Sequence, residues 1–178
     1  MCKEILTWNY HKIPVESFSE KKKRFESSKT IDEYLMNEHK RLIMELESCM
    51  KEGKIWYEQK ITPAILEFVQ NNQEICTGAR YGNNIYITKI PYDPEQYLKE
   101  NDPNLKAYYA CHCPLVRSAL LDEKIKIPSI FCYCSSGYEK LPYDVIFEEN
   151  VEVELLESVL NGDYRCRFAI KIPEDKMK

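Results

Sequence analysis

The segment from Val151 to Ile172 constrains the fold most, because it has the pattern of an antiparallel β-hairpin. The stretches "VEVELLESV" and "YRCRFAIKI" are rich in β-branched and aromatic residues, and Asn161-Gly162 lies between them. Asn-Gly between two such stretches is the strongest short-range hairpin signal. The earlier stretch "NNIYITKI" has the same strand character. We therefore predict a mainly antiparallel sheet.

The first part of the chain has helical patterns instead. Thr30 and Glu33 have the spacing of a capping box, after which apolar residues recur at three- and four-residue steps until Gly53. Thr62 and Pro63 have the residue types of a second helix start. Further helices are predicted at 94–100, 114–122 and 138–147. Together these patterns predict an α+β fold with helices on one side of the sheet and a helical segment before it.

The length of 178 residues suits one compact unit. We expect residues 1–77 to be an N-terminal helical segment that packs on the core. Residues 78–178 are then a cysteine-rich α/β ligand-binding core.

The charges are balanced and interspersed, with 25 basic and 29 acidic residues and a formal net charge of −4. The one concentrated basic run, Lys21 to Arg24, is followed closely by acidic residues and indicates a solvated helix face. There is neither an apolar stretch of signal-peptide length nor one approaching the roughly 18 residues of a membrane span. We expect a cytoplasmic protein with no nucleic-acid or membrane partner.

Two C-x-C pairs stand out among the eight cysteines. Thiols stay reduced in the cytoplasm, so this spacing suggests a metal site or a catalytic site more than a disulfide framework. The stretches "KAYYACHC" and "SIFCYC" are predicted as strands. Cys111 and Cys113 would then share one face, as would Cys132 and Cys134, while His112 would point the other way. On neighbouring strands the four sulfurs could form a tetrahedral zinc site. The alternative is that the cysteines simply pack in the core.

A reactive site is a third interpretation. Cys113 precedes Pro114 at the predicted start of a helix, where the helix dipole favours a thiolate. Arg117, one turn further on, could hold a substrate carboxylate in a forked pair of hydrogen bonds. The alternative for Arg117 is a surface ion pair with Asp122 or Glu123.

The second pair has a similar setting, since Cys134 also leads into a predicted helix. Cys113 and Cys134 are therefore the candidate nucleophiles, and His112 is their candidate proton-transfer partner, with Glu139 and Tyr138 also near in sequence. The predicted ligand-binding residues after Cys134 are Ser135, Ser136 and Gly137. The alternative is that the two serines only cap the start of the helix.

The order "CHCP-x-x-R", "FCYCSSGYEK" and "VEVELLESVLNGDYRCRFAI" resembles proteins related to the L-2-amino-thiazoline-4-carboxylic acid hydrolase family. The last segment also resembles the end of the four-vinyl-reductase type of small-molecule-binding domain. The resemblance spans residues 78–175, and its most characteristic positions are Gly162, Asp163, Cys166 and Phe168. It implies an α/β ligand-binding fold and, for the hydrolases, opening of a ring that contains sulfur and nitrogen. The doubled C-x-C pattern departs from the hydrolases.

Two functions follow as hypotheses. The first is a hydrolase-like protein that cleaves a non-peptide C–N or C–S bond in a small anionic compound at the cysteine-rich site. The second is a non-catalytic module that binds a small molecule or zinc as a sensor. Cys166, on the apolar side of its strand, is either packing, a fifth ligand or a resolving cysteine.

Overall fold

The computed structural model describes Thr7, residues 12–122 and residues 124–177. A 3₁₀ turn at Val15–Phe18 leads into helix α1 (Ser19–Ser27), and the long helix α2 covers Ile31–Glu52. The predicted start of α2 is confirmed, because Thr30 Oγ1 accepts the N–H of Glu33 at 3.0 Å. The Glu33 carboxylate in turn accepts the N–H of Lys29 at 2.7 Å. These bonds satisfy donors that a helix start otherwise leaves unpaired.

The helix predicted at Thr62 is also confirmed, since Thr62 Oγ1 accepts the N–H of Ile65 and Pro63 is the first helical residue. The predicted helix at 94–100 is present, and the one at 138–147 lies within a longer helix. The helices after α2 are α3 (Pro63–Gln70), α4 (Pro94–Lys99), α5 (Pro103–Ala110) and α6 (Tyr133–Phe147).

A short hairpin of β1 (Ile55–Trp56) and β2 (Gln59–Lys60) follows α2. The main sheet has four antiparallel strands in the order β3-β4-β6-β5. These strands are β3 (Ala79–Tyr81), β4 (Asn84–Thr88), β5 (Val153–Glu157) and β6 (Arg167–Lys171).

The predicted C-terminal hairpin is confirmed, because β5 pairs with β6 across the expected turn. That turn contains a 3₁₀ segment, Val159–Asn161, and Gly162 adopts φ 89°, a left-handed conformation that favours glycine.

The sheet buries one face against the helices. Ile85 pairs with Ile170, and both are fully buried together with Leu35 of α2 and Phe147 of α6. The N-terminal helices therefore share a core with the sheet. The opposite face carries charged side chains such as Arg167, which binds Glu74 through two hydrogen bonds of 2.7 and 2.8 Å. The α+β class with helices on one side is confirmed.

The two strands predicted around the C-x-C pairs are wrong. Residues 106–110 belong to α5, and the segment from 129 to 134 is a 3₁₀ turn, Ser129–Cys132, that runs into α6. The helix predicted at 114–122 is reduced to a 3₁₀ turn, Arg117–Leu121.

The start of α5 gives the physical reason for the first error. Asp102 Oδ1 accepts the N–H groups of Asn104 and Leu105 at 3.0 and 2.9 Å, and Pro103 occupies the first helical position. This cap favours a helix, and Ala107 and Ala110 then bury its inner face. Short apolar runs do not by themselves distinguish a strand from a buried helix.

No helix among residues 12–122 and 124–177 is long and apolar enough to cross a membrane.

Candidate active site: a thiol-lined cavity

A cavity of about 560 Å³ lies between the first two helices, α6, the end of β4 and the β1–β2 hairpin. Its volume is in the range of small-molecule sites, roughly 300–1,000 Å³. Aromatic residues including Tyr34, Trp56 and Tyr138 form part of the wall. Six cysteines of the described chain also line it, namely Cys76, Cys111, Cys113, Cys132, Cys134 and Cys166.

The four cysteines of the C-x-C pairs thus meet at one cavity, although they do not lie on strand faces. Cys111 follows the last residue of α5, and Cys132 ends the 3₁₀ turn before α6. His112 was predicted to point away from Cys111 and Cys113, but it lines the same cavity because this segment is not a strand.

The zinc prediction finds no support in this arrangement. Within the part of the chain that the structure describes, no group of three or more His, Cys, Asp and Glu side chains has the geometry of a metal site. A tetrahedral zinc site needs four such ligands converging on one point.

Burial disfavours the thiolate form of Cys134, one of the two predicted nucleophiles, and of Cys111, a predicted zinc ligand. Burial raises the pKa of the Cys111 thiol to about 11 and raises that of Cys134 above its ordinary value. Cys134 lies inside the first turn of α6, and the α-helix expected after Cys113 is absent from the described fold. The helix dipole therefore does not overcome the loss of solvation at Cys134.

His112 is held in its neutral form. Its Nε2 lies 2.6 Å from the carbonyl oxygen of Ile90, so Nε2 carries the proton and Nδ1 is the acceptor. Burial lowers the pKa of His112 to about 4, with the positive charge of Lys89 as the second cause. An imidazole with such a pKa is a weak base, so His112 is poorly suited to the predicted proton-transfer role.

Arg117 is not among the described residues that line the cavity, although it contacts Tyr92, which does. Its guanidinium stacks between the rings of Tyr92 and Tyr108, 4.0 and 4.2 Å from their centroids, and its Nε donates to the carbonyl of Tyr108. The guanidinium therefore contacts the two tyrosines rather than Asp122, and its role in holding a ligand carboxylate stays a prediction. Glu123, the other partner considered, lies outside the described residues.

Of the three ligand-binding residues predicted after Cys134, Ser135 lines the cavity. Ser136 is fully buried, and its hydroxyl donates to the carbonyl of Cys132 at 3.5 Å. Gly137 packs against the backbone of Thr7, which a Cβ would approach to 2.8 Å. Ser136 and Gly137 therefore have structural contacts.

An ion pair of Lys89 and Glu139 lies at the cavity. The sequence analysis gives Lys89 no role and names Glu139 only as a residue near Cys134. Lys89 Nζ lies 3.6 Å from Glu139 Oε1, and the two side chains are only 16% and 15% exposed. Lys89 also lies over the ring of Tyr138, 5.0 Å from its centroid. No sequence motif marks Lys89, because its partner is far away along the chain.

Cys76 is the second residue that sequence analysis missed. Its φ of 63° is left-handed, which is uncommon for a residue with a side chain and costs on the order of 1 kcal/mol. The loop is held to β4, since the N–H of Cys76 donates to the carbonyl of Thr88. The Cys76 sulfur accepts the N–H of Ile90, but burial and the nearby Glu139 raise its pKa to about 12.

Gln59 supplies a polar group at the cavity. Its Nε2 donates to the carbonyls of Pro91 and Tyr92, both at 3.1 Å, which fixes the orientation of the amide. Its Oε1 is buried and has no hydrogen-bond partner among the described residues. A buried acceptor without a hydrogen-bond partner has lost its contacts with water and is energetically costly.

The fold and site together define an α+β protein with an internal cavity lined by thiols. Residues 91–178 match the model of a family of unknown function, DUF6144, over just under half of the chain. The matched part contains both C-x-C pairs and the β5–β6 hairpin, whereas Cys76 and Lys89 lie before it. No curated protein and no solved structure matches the chain.

Proposed function

We propose that this protein binds a small zwitterionic organic molecule in the thiol-lined cavity, with a ligand carboxylate at Lys89 and a ligand nitrogen cation at Glu139. The observation that carries the proposal is the Lys89–Glu139 pair. Its charges are largely withdrawn from water, yet at 3.6 Å they are too far apart for a direct hydrogen bond. Such a pair recovers little of its desolvation cost, and a ligand that binds both groups would offset that cost.

The other charges around the cavity favour a zwitterion over a simple anion. Glu38, Lys21 and Glu58 also line the wall. Arg24 already binds the Glu38 carboxylate at 2.6 and 2.9 Å, and Lys21 and Glu58 add one further charge of each sign. Lys89 and Glu139 therefore form a neutral pair that offers one partner of each sign. A purely anionic ligand would leave Glu139 without compensation and beside a like charge.

The remaining wall suits an apolar or sulfur-containing body. Ile87, Val116 and Tyr34 supply apolar surface, and thiols are soft, polarisable contacts for sulfur and aromatic groups. A ligand of this kind agrees with the resemblance to the thiazoline carboxylate hydrolases.

A second candidate function is cysteine-dependent hydrolysis of a C–N or C–S bond in the same ligand. It is favoured by Cys76, whose strained backbone holds a thiol beside Lys89 and Glu139. Because burial and Glu139 raise the pKa of the Cys76 thiol, the thiol has to give its proton to Glu139 as the sulfur attacks the ligand carbon. The C–N or C–S bond of the ligand then breaks, and the departing nitrogen or sulfur takes the proton from Glu139. Water next attacks the carbon bound to Cys76, its hydroxyl stays on the product, and its proton returns to the Cys76 sulfur. Cys76 and Glu139 then replace Cys113, Cys134 and His112 as the candidate catalytic residues.

Calorimetric titration with L-2-amino-thiazoline-4-carboxylate and with a panel of small α-amino acids tests the proposal. We expect Lys89→Met and Glu139→Gln each to weaken binding on the order of tenfold or more, because each leaves one charge unpaired. Lys99→Met is the matched control, since Lys99 is exposed and pairs with Glu95 at 2.7 Å. Equal affinities in the native protein and Lys89→Met would remove the proposal.

The hydrolysis candidate has its own test, in which product release is measured for Cys76→Ala and Cys113→Ser. We expect the first variant to bind the ligand and release no product. Turnover that survives in Cys76→Ala and is lost in Cys113→Ser would return the reaction to the C-x-C pair.

A further inference from the structure

One short loop segment fixes two polar side chains of the cavity wall. The segment is residues 90–92, between β4 and α4. His112 Nε2 donates to the carbonyl of Ile90 at 2.6 Å, and Gln59 Nε2 donates to the next two carbonyls, each at 3.1 Å. Consecutive Cα atoms are about 3.8 Å apart, so the two side chains are anchored close to each other. Both side chains belong to residues that line the cavity.

The anchoring leaves one hydrogen-bond acceptor on each side chain. A carbonyl oxygen only accepts, so each Nε2 is the donor, and the remaining polar atoms are His112 Nδ1 and Gln59 Oε1. Turning the Gln59 amide would place Oε1 against two carbonyl oxygens, so its orientation is fixed. Gln59 is 7% exposed and its Oε1 has no partner, and no hydrogen bond within the described residues involves His112 Nδ1. The wall therefore holds two oriented acceptors without a donor among the described residues.

Both acceptors are uncharged at neutral pH. Burial, followed by the positive charge of Lys89, lowers the pKa of His112 and keeps Nδ1 unprotonated. A ligand cation has the carboxylates of Glu58 and Glu139 elsewhere on the wall. An uncharged donor loses less hydration than a cation when it is buried beside neutral acceptors. The pair of acceptors thus suits an uncharged N–H group.

Aromatic rings lie next to these acceptors. Trp56 is the partner of Gln59 in the β1–β2 hairpin, so their side chains are on the same side of it. The Tyr92 ring meets the His112 ring edge to face, with the centroids 5.6 Å apart. Trp56 and Tyr92 both line the cavity. Rings in these positions favour a flat ligand group.

We propose that His112 and Gln59 form a subsite of the cavity that binds a planar, uncharged NH₂ group of the ligand, as in a primary carboxamide or an amino group on an aromatic ring. Its N–H groups donate to His112 Nδ1 and Gln59 Oε1. The inference rests on the proposed function, because the same small molecule would reach this subsite and the Lys89–Glu139 pair. It adds the chemistry of a second part of that molecule.

Nitrogen NMR of the native protein with isotope-labelled histidine tests the subsite without any variant. Benzamide is the probe, since it has a planar NH₂ group and neither a carboxylate nor a cation, and methyl benzoate is the matched control without N–H donors. We expect benzamide to move the Nδ1 resonance of His112 upfield, as for an imidazole nitrogen that accepts a hydrogen bond, while Nε2 stays bound to Ile90 and changes little. His39 is not among the described residues that line the cavity and should not respond. No response of His112, or the same response to methyl benzoate, would overturn the proposal.

Variants separate the subsite from general effects on the fold. Gln59→Leu should weaken benzamide binding about three- to tenfold, the loss expected for one hydrogen bond, with little change for methyl benzoate. Gln73→Leu is the matched control, because Gln73 Nε2 also donates to a backbone carbonyl, that of Gly78 at 3.2 Å, and Gln73 is not among the described cavity-lining residues. Equal benzamide affinities in Gln59→Leu and the native protein would overturn the proposal.

Lys89→Met distinguishes a failure of this subsite from a failure of the proposed function. Benzamide offers Lys89 no carboxylate, so its preference over methyl benzoate should persist in Lys89→Met. If His112 does not respond to benzamide while binding of the thiazoline carboxylate still depends on Lys89, the subsite alone is refuted. If His112 responds as expected while thiazoline binding is independent of Lys89, the subsite is supported and the proposed zwitterion site is refuted.

Discussion

Lys89 and Glu139 form a loosely spaced ion pair, 3.6 Å apart, that joins the end of β4 to helix α6 at the wall of the cavity. Arg117, which the sequence favours as a carboxylate partner, is instead held between Tyr92 and Tyr108. Lys89, which directly follows β4, is one of two lysines that line the cavity in the described structure, and the other is Lys21. Both planar faces of the Arg117 guanidinium are covered by tyrosine rings, so this side chain contributes to the packing of α5.

The ion pair between Lys140 and Asp144 should be important for stability. Lys140 is 2% exposed and donates to both carboxylate oxygens of Asp144 and to Asn150. Burial raises the pKa of Asp144 despite this contact. Lys140→Met should lower the free energy of unfolding by about 3 kcal/mol or more, because it leaves a withdrawn carboxylate without its cation.

Urea unfolding at neutral pH measures this effect, with Lys99→Met as the exposed control. An exposed pair contributes at most about 1 kcal/mol. Adding Asp144→Asn to Lys140→Met should recover part of the loss, since the unpaired charge is removed. A loss in Lys140→Met as small as that in Lys99→Met would contradict this account.

Gly78 is required by both its backbone and its surroundings. Its φ is 86°, and an added Cβ would lie 2.7 Å from Cγ2 of Ile85 and 3.2 Å from Cγ1 of Ile87. Gly53 has a similar φ of 65°, but no described atom lies within 4 Å of its Cβ position. Gly53→Ala should therefore cost about 1 kcal/mol for the left-handed backbone alone.

Gly78→Ala should cost clearly more than Gly53→Ala, because the buried side chains of Ile85 and Ile87 must also move. The difference between the two unfolding free energies measures the close packing around Gly78. If Gly78→Ala and Gly53→Ala lost the same unfolding free energy, the loop around Gly78 would be able to shift without cost, which contradicts this prediction.

His112 should make the protein less stable in mild acid. Its folded pKa of about 4 lies below the ordinary value of 6.5, so the unfolded chain binds a proton first as the pH falls. The stability associated with neutral His112 is complete above pH 6.5. It decreases between 6.5 and about 4, by up to about 3 kcal/mol.

His112→Gln should flatten this part of the stability profile, since the amide can still donate to Ile90 and does not titrate. Urea unfolding at neutral pH and at about pH 4.5 measures the slope. An NMR titration that gives His112 a pKa near its ordinary value would contradict the prediction.

Local signals in the sequence account for the parts of the fold that were predicted correctly. Thr30, Thr62 and the Asn161-Gly162 turn act through neighbouring backbone groups, so their effects can be recognised without a structure. The N-terminal helix starts and the C-terminal hairpin follow directly from them. The C-x-C segments contain only short apolar runs, which fit a buried helix as well as a strand, so the strand prediction is wrong there. The local signal that favours a helix before Cys111 is the cap at Asp102.

The site was harder to predict because tertiary contacts create it. Convergence of Cys111, Cys113, Cys132 and Cys134 was expected for the wrong reason, since helix ends and turns bring them together. The ion pair of Lys89 and Glu139 depends on how α6 packs beside β4. The residues around Lys89 and around Glu139 form no sequence pattern that predicts this contact.

The most direct test of the proposed function compares L-2-amino-thiazoline-4-carboxylate with its methyl ester by calorimetry, in the native protein and in Lys89→Met. If Lys89 binds the carboxylate, the ester should bind the native protein more weakly than the acid, and this difference should largely disappear in Lys89→Met. The predicted coupling between the ligand carboxylate and Lys89 is on the order of 1–3 kcal/mol. The same acid-to-ester difference in both proteins, or no difference in the native protein, would contradict the proposal.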